Sequence, residues 1–220
     1  TAIAVQRDLP LYIDSLIGTV APQSIVTVRS RVDGQLMKLH FAEGQVVKEG
    51  QLLAEIDPRA FEASLQQARG QQARDEANLK LAKLTVARSR ELFRTRSVAQ
   101  QIIDEQEAQV LMYEAALKAD AGLVENARLQ VEYTRITAPI SGRVGLNLVD
   151  PGNIIRANDP AGLVVITQLQ PITVVFTIPQ DEIPRVMKSH SDAHPLEVDA
   201  YNRDFGTKLA AGKLAAFDNQ

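Results

Sequence analysis

The chain has 220 residues, with 24 lysines and arginines against 27 aspartates and glutamates, so its formal net charge is −3. This mildly acidic balance argues against a dedicated nucleic-acid-binding protein, because such domains are strongly basic. The chain contains no cysteine, which excludes disulfides, thiolate metal sites and cysteine nucleophiles within these residues. No run of about 18 apolar residues is present to span a bilayer, so we expect any membrane anchor to lie outside this chain.

The first 57 residues have the pattern of β-strands, with β-branched residues between glycines that mark turns. A similar pattern returns from about Ile136, and a shift of 108 positions overlays Val28 on Ile136 and Leu36 on Val144. Each repeat has only about 30 residues and cannot bury a core alone. We therefore predict that the two repeats form one β-sandwich, residues 22–57 with 134–170, by pairing with each other.

Glycines occupy matching places in the two repeats, and Gly50 corresponds to Asn158. Their spacing matches neither a dinucleotide-binding fingerprint nor a P-loop. We interpret them as turn positions that require a positive φ; the five glycines are Gly34, Gly44, Gly50, Gly142 and Gly152.

Residues 58–133 have a helical pattern, which begins after Asp57 and Pro58 with a capping residue and a first-turn proline. Two columns of residues recur every seven positions: Leu65, Gln72, Leu79, Val86 and Phe93, then Ile103, Val110, Leu117, Val124 and Val131. Such repeats predict helices that supercoil around each other. The phase breaks at residues 95–100, which predicts an antiparallel hairpin about 50–55 Å long.

Alternating apolar residues at 172–177 and 196–200 predict further strands. We expect the two ends of the chain, residues 1–21 and 171–220, to form a second β-domain, truncated at its C-terminus. The predicted fold class is therefore mixed α and β, elongated and nested. A lipoyl-like sandwich is split by a helical hairpin, and a β-barrel domain is built from both chain ends.

Four stretches of this sequence resemble one family: 28–36 (VRSRVDGQL), 43–57 (EGQVVKEGQLLAEID), 134–144 (TRITAPISGRV) and 171–179 (PITVVFTIP). The first two are similar to the front half of a biotinyl/lipoyl-type domain. The third is similar to the entry to its back half, and the fourth to the first strand of the following β-barrel. Together they resemble the membrane fusion proteins (HlyD family), the periplasmic adaptors of bacterial efflux pumps, especially those of resistance-nodulation-division (RND) multidrug pumps.

The resemblance implies a non-enzymatic adaptor in the periplasm of a Gram-negative bacterium, attached to the inner membrane. Its implied partners are an inner-membrane RND transporter, a TolC-like outer-membrane channel and further copies of itself, as a hexamer or trimer of dimers. It implies no cofactor, no metal and no nucleic acid. Two alternatives remain: an adaptor for an ABC-type or heavy-metal exporter, and a lipoyl or biotin carrier. The carrier lacks support, because residues 57–62 carry no lysine where a carrier presents one.

The turn of the hairpin is the candidate interaction site. Four arginines lie near it, Arg88, Arg90, Arg94 and Arg96, opposed only by Glu91. In RND-type adaptors, an Arg, a Leu four residues later and a Ser past the turn engage the outer-membrane channel. Arg88 and Leu92 match the first two by residue and spacing. Ala99 stands at the position of the Ser, and Ser97 lies two residues earlier. Which residue would make the third contact is therefore left undecided by the sequence.

The sequence gives little support for a metal site or a catalytic site. His190 and His194 are four residues apart, but their surroundings are loop-like and no third metal ligand is evident. We interpret them, like His40, as solvated histidines. No catalytic motif or paired carboxylates at a cleft are present, so we predict that the chain is not an enzyme.

Overall fold

The structure is a computed structural model, and it describes residue 13 and residues 16–189, 196–204 and 206–217. The chain divides into two units, which are described separately. One consists of Pro22–Ile172, and the other of Thr1–Ala21 with Thr173–Gln220. The predicted mixture of α and β structure is confirmed, with two long helices and several β-sheets.

The unit Pro22–Ile172 consists of a sandwich of two four-stranded sheets, interrupted by two helices. Strand β1 (Gly18–Pro22) is described with the other unit. The strands that precede the helices are β2 (Ile25–Val28), β3 (Gly34–Leu39), β4 (Val46–Val47) and β5 (Leu52–Ile56). The helices are α1 (Arg59–Arg94) and α2 (Gln100–Tyr133). The strands after them are β6 (Arg135–Thr137), β7 (Gly142–Val144), β8 (Ile154–Ile155) and β9 (Val164–Thr167).

The two sequence repeats exchange strands, as predicted. One sheet has the order β2-β9-β7-β4 and the other β6-β5-β3-β8, so each contains two strands from each repeat. The backbone hydrogen bonds are reciprocal: Gly44 N–H donates to Val144 O at 3.0 Å, and Gly152 N–H donates to Leu36 O at 2.7 Å. The sandwich therefore has an internal two-fold pseudosymmetry, and neither repeat completes a sheet without the other.

The core lies between the two sheets and contains matching residues from both repeats. Leu36 and Val144 are both 1 % exposed or less. The corresponding Val46 and Ile154 both point outward, and Val47 and Ile155 both point inward. The fully buried core therefore follows the alternation predicted for a half-buried strand.

The glycines have two different roles. Gly44, Gly50 and Gly152 have φ values of 75°, 78° and 97°, and Asn158 adopts φ 58° at the position equivalent to Gly50. Gly34 and Gly142 lie within strands and lack a positive φ. The prediction that these two are turn glycines is therefore wrong.

Close packing explains Gly34 and Gly142 instead. A Cβ at Gly34 would lie 2.5 Å from Cγ2 of Ile56. A Cβ at Gly142 would collide with the backbone carbonyl group of Thr167 in the adjacent strand β9. Equivalent positions in the two repeats thus need glycine for space, not for backbone conformation.

The two helices pack antiparallel through the predicted columns. The Lys83 ammonium lies 2.7 Å from the Glu114 carboxylate, and the Arg90 guanidinium lies 2.7 Å from the Glu107 carboxylate, which sets the register. Val86 and Ile103 are buried in the seam between the helices. Phe93, the last member of its column, is 42 % exposed although this register brings it level with residue 104 of α2.

The base of the hairpin is held by the sandwich. Strands β5 and β6, which lead into α1 and out of α2, pair with each other in one sheet. Ile56 N–H donates to Thr134 O at 2.8 Å, and Thr134 itself is buried. Asp57 precedes the helix, where hydrogen bonds from the Arg59 side chain and backbone lower the pKa of Asp57 to about 2.

A pair of carboxyl groups interrupts the apolar seam. Asp75 of α1 is 8 % exposed and Asp120 of α2 is 6 % exposed. Asp75 accepts hydrogen bonds from Gln71 at 2.8 Å and from Arg74 at 3.2 Å, and the bond from Arg74 lowers the pKa of Asp75. Burial, followed by the charge of Asp75, raises the pKa of Asp120. Oδ2 of Asp120 is buried and has no hydrogen-bond partner among the described residues.

The other unit contains two separate two-stranded sheets among its described residues. Strand β1 (Gly18–Pro22) pairs with β10 (Ile172–Phe176), and β11 (Glu197–Tyr201) pairs with β12 (Lys208–Lys213). A short helix, α3 (Ile183–Ser189), lies between them in sequence. The strands expected from the alternation at 172–177 and 196–200 are present, whereas a closed barrel stays a prediction.

We expect Gly142→Ala to lower the free energy of unfolding by about 1–3 kcal/mol, because the new Cβ meets rigid backbone of β9. Gly145→Ala is the matched control, because the nearest atom to its added Cβ is Val165 O at 3.4 Å. Urea titration followed by circular dichroism measures both. Equal losses for the two variants would contradict the packing explanation.

We expect Asp120→Asn to stabilise the protein at neutral pH. A raised pKa means that the folded state favours the protonated carboxyl. The stability that this group contributes is present below the ordinary carboxyl pKa of about 4 and is lost as pH rises through the raised value. The advantage of Asn should therefore grow as pH rises.

Thermal unfolding followed at 222 nm between pH 3 and pH 8 measures this difference. Glu76→Gln, at an exposed position of α1 without a hydrogen bond or ion pair to any described residue, is the control and should change stability by less than about 0.5 kcal/mol. A melting temperature for Asp120→Asn that runs parallel to the wild type across this range would contradict the prediction.

Candidate functional site

The end of α1 is closed by a Schellman turn in which arginine takes the place of glycine. Ser97 N–H donates to Leu92 O at 3.0 Å, and Arg96 N–H donates to Phe93 O at 2.8 Å. These are the two bonds of the motif, which requires a left-handed residue after the helix. Arg96 adopts that conformation, with φ 59°. The turn therefore fixes the positions of the side chains on either side of it.

Arg88 and Leu92 lie one turn apart on α1 and both are exposed. Arg88 forms no hydrogen bond or ion pair with any residue that the structure describes. Leu92 is 48 % exposed, although its backbone carbonyl is used by the turn. An unpaired guanidinium and a nearby apolar side chain are thus available together at the end of the hairpin.

Two of the four arginines are already paired, which corrects the prediction that only Glu91 opposes them. The Arg90 guanidinium is bound to Glu107 of α2, and the Arg94 guanidinium lies 3.2 Å from the Glu91 carboxylate. The sequence could have shown the first pair, because the antiparallel register brings residue 107 level with residue 90.

Ser97 and Ala99 both lie in the connection, with different roles. The Ser97 hydroxyl is 2.9 Å from the Thr95 hydroxyl, which also donates to Leu92 O at 2.8 Å. Ala99 is the residue before α2, with an extended backbone and no side-chain cap. The backbone hydrogen bond of the turn links Ser97 to Leu92 directly. No contact between Arg88 and Ala99 is present among the described residues.

Two apolar side chains at the tip were not predicted as part of the site. Phe93 is 42 % exposed and Ile102 is 41 % exposed, close to the value for Leu92. Their signal in the sequence was the position of Phe93 at the end of its column, next to the predicted connection. Exposed apolar residues beside arginine are typical of the centre of a protein–protein interface. The tip is therefore chemically suited to binding another protein.

The described residues contain no group of three or more metal-ligating side chains. His40, which directly follows β3, instead has its Nε2 3.1 Å from the carboxylate of Glu55 in β5, and His190 and His194 lie outside the described residues. Lys38, which bears on the carrier alternative, is an exposed residue within β3 and not in a hairpin turn.

Within the described part of the chain, no helix combines the length and the apolar character needed to cross a bilayer.

The sequence matches one family profile over residues 24–167, described as the RND MFP barrel-sandwich hybrid domain. Among individual proteins, it is 49 % identical to the multidrug resistance protein MdtA of Cronobacter turicensis and of Pectobacterium carotovorum. These matches cover 100 % of this chain but 52 % and 53 % of those proteins. The chain therefore spans about half the length of the curated relatives it matches.

Solved structures share the fold. A MacA–MexA chimera with the Pseudomonas aeruginosa MexA α-hairpin is 27 % identical, with a TM-score of 0.57 over 94 % of this chain and 69 % of that one. The membrane fusion protein Spr0693 from Streptococcus pneumoniae is 18 % identical, with a TM-score of 0.68 over 92 % and 84 %. By the matched domain and the similarity along the whole of this chain, the chain belongs to the RND membrane fusion proteins, which are efflux-pump adaptors and not enzymes.

Proposed function

We propose that this chain is part of a periplasmic adaptor that bridges an inner-membrane RND transporter to a TolC-like outer-membrane channel in multidrug efflux. The family match and the 49 % identity to multidrug resistance proteins support the class of pump. The adaptor has no catalysis of its own, and the transporter supplies the energy. The protein resides in the periplasm of a Gram-negative bacterium and is attached to the inner membrane.

The observation that carries the proposal is the exposed tip of the hairpin. α1 and α2 extend away from the sandwich for 36 and 34 residues, about 50 Å at 1.5 Å per residue. At their far end lie the unpaired Arg88 and the exposed Leu92. An arginine and an exposed leucine at the end of a long helical hairpin suit a contact with the helical end of a channel.

The other parts of the chain have separate proposed roles. The sandwich, residues 22–57 and 134–170, associates laterally with its copies in a ring. The hairpin, residues 58–133, carries the channel contact. Residues 1–21 and 171–220 belong to a β-barrel domain that contacts the transporter. The exposed apolar residues Val46 and Ile154 on edge strands of the two sheets support an interface on the sandwich.

We expect the double substitution Arg88→Asp and Leu92→Asp to abolish export. Removing a central arginine or apolar anchor costs an interface about 2 kcal/mol or more. The added carboxylates repel an acidic partner and lose their hydration against an apolar one. The test uses a strain deleted for the gene and complemented with full-length variants. Its readout is susceptibility to unrelated drugs, dyes, detergents and metal ions.

Leu123→Asp is the matched control, because Leu123 is 57 % exposed on α2 but far from the tip. It should restore resistance as the wild type does, and immunoblots should find all variants at equal levels. Full resistance with the tip double variant would contradict the channel contact. Sensitivity of the deletion strain to metal ions alone would contradict the multidrug function and favour a metal exporter.

We expect Ala99→Ser to stabilise the start of α2 by about 1 kcal/mol. Ala99 has the extended backbone of a capping residue, with φ −81° and ψ 152°, and no side chain to cap the first turn. A serine hydroxyl would accept a hydrogen bond from a free N–H group there. Thermal unfolding at 222 nm measures the gain, and Ala108→Ser, at an exposed position inside α2, is the control that should not raise stability.

A further inference from the structure

The most buried groups in the middle of the hairpin are two carboxyl groups, one on each helix. Asp75 of α1 and Asp120 of α2 are both buried. The members of the apolar columns nearest to them in sequence, Leu79, Leu117 and Val124, are only half-buried. The seam at this level therefore closes around polar groups, whereas toward the tip it closes around buried apolar side chains.

The hydrogen-bond donors to this pair all reach Asp75, and all of them lie on its own helix. Gln71 Nε2 donates at 2.8 Å, and Arg74 Nε and Asn78 Nδ2 each donate at 3.2 Å. Three hydrogen bonds and a guanidinium favour the charged form of Asp75. In contrast, no described residue donates a hydrogen bond to the buried Oδ2 of Asp120.

The Asp120 carboxyl group faces the Asp75 carboxyl group across the seam, within hydrogen-bonding reach. Two carboxylates are both acceptors, so a hydrogen bond between them needs a proton. One proton on Asp120 makes this group a donor to Asp75, and it leaves Asp75, Arg74 and Asp120 together with no net charge. Loss of the proton leaves one uncompensated negative charge in the seam.

We propose that Asp75 and Asp120 share one proton, and that this proton closes the middle of the hairpin. With the proton bound, a hydrogen bond joins α1 to α2 at this level. When the proton leaves to water, the two carboxylates repel each other and the helices separate locally. The seam toward the tip stays closed, because apolar contacts hold it. The hairpin is therefore stiffer in acid than at neutral pH.

The direction of this pH dependence follows from the surroundings of Asp120. Burial, followed by the charge of Asp75, raises the pKa of Asp120. Among the described residues, the charged groups that act on Asp120 are Asp75 and Arg74, both of α1, and Arg74 has the smaller influence. The stability that a raised pKa contributes is present below the ordinary carboxyl pKa of about 4 and is lost as pH rises through the raised value.

Each helix has a glycine close to the pair. Gly70 lies five residues before Asp75, and Gly122 lies two residues after Asp120. A Cβ added at either glycine would meet no atom within 4 Å, so a lack of space does not explain them within this chain. Glycine inside a helix is less stable than alanine and gives the backbone more freedom. The glycines therefore favour local separation of the helices at the level of the carboxyl pair.

Amide hydrogen exchange of the purified full-length protein measures local opening. Exchange rates at about pH 4.5 and about pH 7.5 are divided by those of unstructured peptides of the same sequence, which removes the intrinsic effect of pH. We expect the protection of residues 71–82 and 115–126 to fall about fivefold or more between the two conditions. Residues 83–94 and 103–112, toward the tip of the same helices, are the internal control and should change less than about twofold.

Unchanged protection in the middle of the hairpin would overturn the proposal. Equal losses in the middle and toward the tip would overturn it as well, because they would mean that the whole hairpin responds to pH and not the carboxyl pair.

Asp120→Asn replaces the protonated carboxyl group by an amide that can donate to Asp75 at every pH. Protection in the middle of the hairpin should then stay at the acidic level of the wild type under both conditions. Glu76→Gln, which changes an exposed acid of α1, is the matched control and should keep the pH dependence of the wild type. A wild-type loss of protection in Asp120→Asn would overturn the proposal, because another group would then be responsible.

Asp75→Asn tests whether the proton is shared by the pair. This substitution removes the neighbouring negative charge and gives the Asp120 carboxylate an amide donor. The charged form of Asp120 is then less disfavoured, so the loss of protection between the two conditions should be smaller than in the wild type. A loss as large as that of the wild type would mean that Asp120 holds the proton without Asp75, which contradicts sharing.

The exchange experiment does not depend on export. If protection changes with pH as expected while the deletion strain keeps its drug resistance, the multidrug function is wrong and the shared proton stands. If the deletion strain becomes sensitive to drugs but protection does not change with pH, the shared proton is wrong and the adaptor function stands.

Discussion

Everything in the unit Pro22–Ile172 depends on the exchange of strands between its two halves. Each sheet takes two strands from each repeat, so neither half has a core or a complete set of backbone hydrogen bonds without the other. The same exchange makes β5 and β6 neighbours. Because these strands lead into α1 and out of α2, the two helices must leave the sandwich side by side. The hairpin is therefore a consequence of how the sandwich closes.

The seam of the hairpin has its fully buried apolar residues toward the tip and a buried carboxyl pair farther from the tip. Val86 and Ile103 are buried toward the tip, whereas Asp75 and Asp120 meet in the interior. Arg74 favours the charged form of Asp75, and burial beside Asp75 disfavours the charged form of Asp120. A buried acid pair costs stability at neutral pH but opposes any slip of the two helices past each other.

Sequence reasoning predicted the elements whose signal is periodic. The 108-residue repeat and the seven-residue columns predicted the paired strands and the two helices, and the phase break predicted the connection between Arg94 and Gln100. It was wrong where one residue type has two physical uses. Gly34 and Gly142 were interpreted as turn residues, but neighbouring atoms leave no room for a side chain. It also missed the left-handed Arg96, because nothing in the residue type indicates that conformation.

The amino-acid sequence by itself predicted the order of the elements and the length of the hairpin, because local periodicity encodes these directly. The family was indicated by the resemblance of its motifs to those of known adaptors. The same resemblance makes Arg88 and Leu92 the candidate contact residues at the tip. Only the tertiary structure decided which tip groups are free: Arg90 and Arg94 are paired, and Phe93 and Ile102 are exposed beside Leu92. It also decided that Asp75 and Asp120 share one buried environment. The pairing and burial of these side chains depend on which residues of α1 lie beside which residues of α2. The register of helix packing determines this, and the register is a property of the tertiary structure.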